Sequence, residues 1–239
     1  MSASPLHRKG PPPWRTVWSA LLPAVLVACG GGTVSQVRTI DFAAEGARWT
    51  VGSSDYEADT APDDVSAAVV AQPDPLSGRG LRIAGTNHSD DLFVYVWRRL
   101  DGLYPGAQYQ AHWTLTVVAE VPAGCMGVGG APGEGVTVKA GVAASRPSTV
   151  VRDGEFLFNQ DKGAQTQGGS GAAVLGDLTS SGQDCVAVPA EHKTMSAAQP
   201  GGVQADAQGG AWVWVGIDSG HEAGSALTLV SAQLVLTPR

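Results

Sequence analysis

Positive charge, cysteine, histidine and long apolar runs are all scarce in this chain, and each scarcity excludes something. Of 239 residues, 15 are Lys or Arg against 22 Asp or Glu, a formal charge of −7. The basic residues form no cluster, so a polyanionic partner is not expected and nucleic-acid binding is excluded. The three cysteines and five histidines show no CxxC, HxxxH or HExxH spacing, which leaves a zinc centre without support. There is no GxSxG elbow for a serine nucleophile and no DxDxDG calcium loop. Past residue 29 no segment approaches the ~20 apolar residues that span a bilayer. Nor does any segment sustain an apolar repeat of 3.6 residues, so a helical fold is not expected. The best helix candidate is Pro62–Ala71.

What the chain has in quantity is turn and strand formers. Its 32 Gly and 15 Pro separate short runs rich in Val, Thr and Trp, the composition of strands joined by turns. From Tyr109 to Glu120, Tyr109, Ala111, Trp113, Leu115, Val117 and Ala119 share one parity. Gln110, His112, Thr114, Thr116 and Glu120 share the other, which is the pattern of a strand with one face in a core. Val136, Val138, Ala140 and Val142 alternate with Thr137, Lys139 and Gly141. Leu92–Trp97 and Trp212–Ile217 are apolar on both faces, as in central strands. Between Leu227 and Leu236 the apolar parity switches, and a bulge near Val230 reconciles the halves. Some eight to ten such strands predict an all-β fold, an antiparallel β-sandwich.

The N-terminus follows the layout of an export signal. His7, Arg8, Lys9 and Arg15 precede a short apolar stretch, Val17 to Ala28. Leu26-Val27-Ala28-Cys29 resembles the lipobox of bacterial lipoproteins. That resemblance implies cleavage after residue 28, acylation of Cys29, and a bilayer as partner. Residues 1–28 are then the signal, 29–35 a small polar tether, and 36–239 one domain. Losing residues 1–28 removes three Lys/Arg and no acid, leaving 12 against 22 and a charge of −10. Gly30 is not the aspartate linked with inner-membrane retention, which favours the outer membrane. Cys125 and Cys185 remain, and an even pair in an oxidising compartment reads as a disulfide.

Gly80-Leu81-Arg82-Ile83, Phe93-Val94-Tyr95 and Leu103-Tyr104-Pro105-Gly106-Ala107-Gln108-Tyr109, with Ala226–Leu236 as closing strand, resemble jelly-roll carbohydrate-binding modules and their galactose-binding-like relatives. The resemblance covers about a third of the mature chain. It implies a jelly-roll sandwich and, more weakly, a glycan ligand.

Three polar clusters interrupt the strands: Asn87-His88-Ser89-Asp90-Asp91, Asn159 to Gln165, and Asp218-Ser219-Gly220-His221-Glu222. Each stands at a strand end, where the loops of a sandwich gather. Asn87, His88, Asp90, Asp91, Asn159, Asp161, Lys162, Asp218, His221 and Glu222 are therefore candidate ligand or cation contacts. Asp90, Asp91, Asp161, Asp218 and Glu222 are hard oxygen donors of the kind calcium takes; the plainer reading is Asx turns and loop caps. Asp90 with Asp91, or Asp218 with Glu222, would be the carboxylate pair of a glycoside hydrolase. His88 and His221 would be the bases of a nucleophilic mechanism. Gly127 to Gly135 precedes a strand and lacks the P-loop lysine, so it is a loop and not a phosphate cradle. Phe93, Tyr95 and Trp97 are the candidate exposed ring set on which a sugar would stack. Three functions follow: a non-catalytic envelope binding protein, an envelope hydrolase, or an assembly protein.

Overall fold

The computed structural model describes Met1 and residues 34–239. The expected signal peptide, the acceptor Cys29 and most of the tether lie outside the described residues. Residues 34–239 belong to one compact unit. Fourteen strands follow in order: β1 (Gln36–Asp41), β2 (Thr50–Ser54), β3 (Tyr56–Glu57), β4 (Asp63–Ala71), β5 (Arg79–Thr86), β6 (Leu92–Leu100) and β7 (Gln108–Ala119), then β8 (Val136–Ala143), β9 (Thr149–Arg152), β10 (Glu155–Phe158), β11 (Ala173–Asp177), β12 (Glu191–Gln204), β13 (Ala211–Ser219) and β14 (Gly224–Pro238). Among the described residues no helix is long and apolar enough to cross a membrane.

Two antiparallel sheets make the sandwich. One has the order β12-β7-β14-β5-β4, with β1 beside the second half of β14; the other runs β11-β8-β13-β6-β2. Alternation decides which side chains face inward. Tyr109, Ala111, Trp113, Leu115 and Val117 of β7 are at most 1% exposed and share one core with Val136, Val138 and Ala140 of β8, the strand across the sandwich. The parity switch in β14 is a bulge: its register with β7 shifts between Leu229 and Ser231. That kink lets β14 pair with β5 through Leu229 and with β1 from Ser231 onward.

Pro62–Ala71 is not helical. Asp63–Ala71 is the edge strand β4, and Val65, Ala67 and Val69 rest on the core at a spacing of two. The period that won is the one that buries three apolar side chains against a sheet already present.

A second departure from alternation sets up the site. Strand β8 is buried on both faces, Lys139 included at 0% exposure, although alternation predicts Thr137 and Lys139 in water. A three-stranded sheet, β3-β10-β9, and the loop that leads on to β11 cover the outer face of the second sheet. Beneath them lies a second core of Phe93, Tyr95, Ala143, Phe158, Ala172 and Trp214. Two glycines make the close packing feasible: a methyl at Gly141 would collide with the Trp214 ring, and one at Gly216 with the Phe93 ring. Cys125 and Cys185 form the expected disulfide across 60 residues. Closing a loop of that size contributes roughly 4 kcal/mol in the chain-entropy model.

Candidate functional site

The three polar clusters meet at one end of the sandwich. Asn87 is buried and staples the first to the third, its amide donating to the carbonyls of Ser219 (2.9 Å) and His221 (3.2 Å). The Gln165 amide donates to the Asp90 carbonyl and so joins the second cluster to the first. At the centre stands Asp218, on β13 and fully buried. Its Oδ2 accepts from Lys139 Nζ at 2.8 Å and Lys162 Nζ at 2.6 Å.

Two members of this centre were not singled out from sequence. Asp55, in the bend between β2 and β3, has φ +67°, a left-handed conformation that Asp tolerates better than most residues. Its N–H donates to the Phe156 carbonyl and its Oδ1 accepts from the Phe158 N–H, so β10 holds it in place. Its Oδ2 lies 2.8 Å from Lys162 Nζ. Lys139 donates also to the carbonyls of Lys162 (3.1 Å), Ala164 (2.5 Å) and Gln167 (3.1 Å), pinning the second polar loop over the sheet.

Asp55, Asp91 and Asp218 each bring one oxygen to a common point, all within 4.8 Å of one another. Two lysine ammoniums balance three carboxylates, and the imbalance falls on Asp91. Burial pushes its carboxyl up to about 7, the nearby Asp218 charge adds to this, Lys162 opposes it, and Asp55 raises it further. Burial works against the Lys162 charge, but Asp218 and Asp55 outweigh it and hold that ammonium on. Lys139 is pushed down by burial, with Asp218 resisting. Asp218 Oδ1 and Asp91 Oδ1 are both buried and accept from no amide, hydroxyl or ammonium among the described residues; the hydrogen bond between the two carboxyls also favours a proton on Asp91.

Above this floor opens a cleft of about 710 Å³. Tyr56, Leu157 and Phe158 give it an apolar wall, and Tyr56 stacks on Phe156 at 4.8 Å and 9°. Glu57, Asp59, Asp90, Glu155 and Asp161 stand exposed at its mouth; Asp55, Asp91 and Lys162 lie deeper.

The remaining site residues separate into rim and scaffold. Glu222 bonds to Asp90, and that shared proton raises the Glu222 carboxyl. Asp161 accepts from the Ser170 N–H and hydroxyl, both at 2.8 Å; these bonds lower its carboxyl and make it a loop cap. Asn159 likewise bridges Ser148 and Arg146 across the loop. His88 pairs with Asp63 on the surface at 2.9 Å, and His221 bonds the Gly130 carbonyl at 3.0 Å. Neither histidine faces a nucleophile among its bonded partners.

Two expectations need correction. The five acids named as possible calcium donors fall in three separate places: Asp91 and Asp218 converge with Asp55, Asp90 turns to Glu222, and Asp161 caps Ser170 as the plainer reading has it. Phe93 and Tyr95 are not an exposed platform. They are at most 1% exposed under the β9–β10 hairpin, stacked at 5.2 Å with Phe158 against both. Only Trp97 reaches solvent in part, paired edge-on with Trp212 and capped by Arg146 at 4.5 Å.

The chain matches no protein-family model and no curated protein. Among solved structures it is similar to a family 11 carbohydrate-binding module of a cellulosomal cellulase from Clostridium thermocellum, at 12% identity and TM-score 0.41, covering 87% of this chain and 97% of that one. It is similar also to TmCBM61 in complex with beta-1,4-galactotriose, at 11% identity and TM-score 0.36, covering 81% and 92%. A third is the mannan-recognising module TmCBM27, at 11% identity and TM-score 0.33, covering 84% and 97%. Likeness at this level assigns neither a ligand nor a chemistry.

Proposed function

We propose that the chain is an exported, lipid-anchored binding protein that takes a segment of an envelope glycan in the cleft between Tyr56 and Asp91, without catalysing a reaction on it. The observation that carries this reading is the cleft itself. It is lined by a ring and an aliphatic side chain (Tyr56, Leu157) together with carboxylates and an amide (Asp90, Glu155, Gln160). A sugar ring presents the complement: an apolar C–H face for an aromatic and hydroxyls that donate to carboxylates with charge-assisted strength. The Cys125–Cys185 disulfide supports export, since such bonds persist in oxidising compartments.

Calorimetric titration of the purified protein with neutral β-linked tri- and tetrasaccharides of glucose, galactose and mannose tests the reading. Binding is expected for at least one, and Tyr56→Ala should weaken it about tenfold, the scale of one ring contact. No heat with any of them, and no thermal shift, would overturn it.

A further inference from the structure

The cleft is unevenly charged. Five carboxylates stand at its mouth (Glu57, Asp59, Asp90, Glu155, Asp161), and Lys162 is the one basic residue on its wall. That lysine is already committed, at 2.8 Å to Asp55 and 2.6 Å to Asp218. Acidic side chains gathered around an opening with a buried floor focus a negative potential into it. Acidic saccharides and phosphorylated ligands are repelled from such a site.

The floor is more specific than the walls. Asp55, Asp91 and Asp218 gather within 4.8 Å, with Lys139 and Lys162 as their cations. Three negative charges against two positive leave one uncompensated. The buried Oδ1 atoms of Asp218 and Asp91 accept from no amide, hydroxyl or ammonium among the described residues; the two carboxyls stand within hydrogen-bonding reach of each other, a pair that one proton or one cation has to bridge. Asp218 is 0% exposed and lies behind Asp91 and Asp55, which line the cleft.

Resting on the cleft as the glycan site, we infer that its ligand is an amino sugar, whose primary ammonium docks on Asp91 and Asp55 and completes the charge of the buried triad. A single positive charge brings the cluster to neutrality. A divalent metal ion would overshoot, next to two ammoniums that already hold Asp218 Oδ2 and leave few of the six to eight oxygens calcium takes. In the free protein the proton on Asp91 does the same balancing, held by burial and by Asp218 and Asp55 against Lys162, with Lys139 also near. The ammonium therefore binds in exchange for that proton.

The test compares a β-1,4-linked glucosamine tetramer with its fully N-acetylated counterpart, which keeps the hydroxyls and loses the charge. The glucosamine tetramer should bind at least about tenfold tighter, the scale of a charge-assisted bond in a shielded site. Its affinity should fall with added NaCl and, referred to the protonated amine of the ligand, drop severalfold from pH 7 to pH 6 as Asp91 takes up its proton. Asp91→Asn should bring the two tetramers to similar affinity and abolish that drop; the salt and pH measurements on the unmodified protein stand even if this variant fails to fold. Equal affinity for both tetramers overturns the amino-sugar inference and leaves the cleft a glycan site. Failure of both tetramers and of the neutral saccharides overturns both readings. A calcium-induced thermal shift that disappears in Asp91→Asn would put a metal ion where the ammonium is placed, and would also overturn the inference.

Discussion

At the scale of single residues, Asp91 governs how the site responds to pH. Its carboxyl is raised from 3.8 to about 7 by folding, first through burial and then through Asp218. Between those values the folded protein holds a proton that the unfolded chain has lost. Stability therefore falls as pH rises from about 4 to 7 and levels off above. Asp91→Asn keeps the shape and removes the titration. It should stabilise the protein by on the order of 2 kcal/mol at pH 8, and by much less at pH 5, after discounting for solvent near the cleft. Urea denaturation at both pH values measures this; profiles that stay parallel would show that Asp91 does not carry the site's surplus charge. Asp91 and Asp218 were legible in sequence because each terminates an apolar strand run at a loop. Asp55 was not, since Ser-Ser-Asp-Tyr reads as any turn. Lys139 was misplaced because strand alternation sends it outward, and alternation cannot register a layer laid over that face.

At the scale of elements, that added layer separates what was readable from what was not. The period-two pattern found β7 and the bulge at Val230, because both follow from which side chains must reach the core. It did not find the cover over Phe93 and Tyr95. A strand apolar on both faces says that both are buried, and stays silent on whether a second sheet, a hairpin or a ligand does the burying. Here it is β9 and β10, and Phe158 is the nail: 8% exposed, its ring lies 5.0 Å from Phe93, 4.5 Å from Tyr95 and 5.2 Å from Trp214. The two-residue strand β3 pairs with β10, so the hairpin also carries one wall of the cleft. Phe158→Ala should cost about 3–5 kcal/mol, the usual loss for a buried ring. Amide exchange should then accelerate in residues 149–171 more than in β7 or β14, because the cavity opens beneath the hairpin and not between the main sheets. Uniform acceleration would mean that the cover is an integral part of the main core.

Across the whole molecule, the path of β14 relates the cleft to the proposed anchor. This strand starts at Gly224, beside Thr86 and the polar loops, and its other end, Leu236, pairs with Gln36 where β1 begins. Twelve residue steps at ~3.3 Å place the two ends about 40 Å apart. A chain acylated at Cys29 therefore enters the sandwich at the end remote from the cleft, through seven residues that reach at most about 25 Å when fully extended. Under the proposed anchoring, such a tether would hold the domain at a bilayer while its acidic mouth stays open to the envelope, away from anionic headgroups that would repel it. Cys29→Ala is thus expected to abolish labelling by a palmitate analogue and to move the protein into the soluble fraction. Saccharide affinity should not change, because the described chain begins beside the end of β14 remote from the cleft. Persistent labelling of the variant would remove the anchor from this account. Loss of affinity without its lipid would instead mean that the membrane completes the site, and the cleft could not then be turned outward.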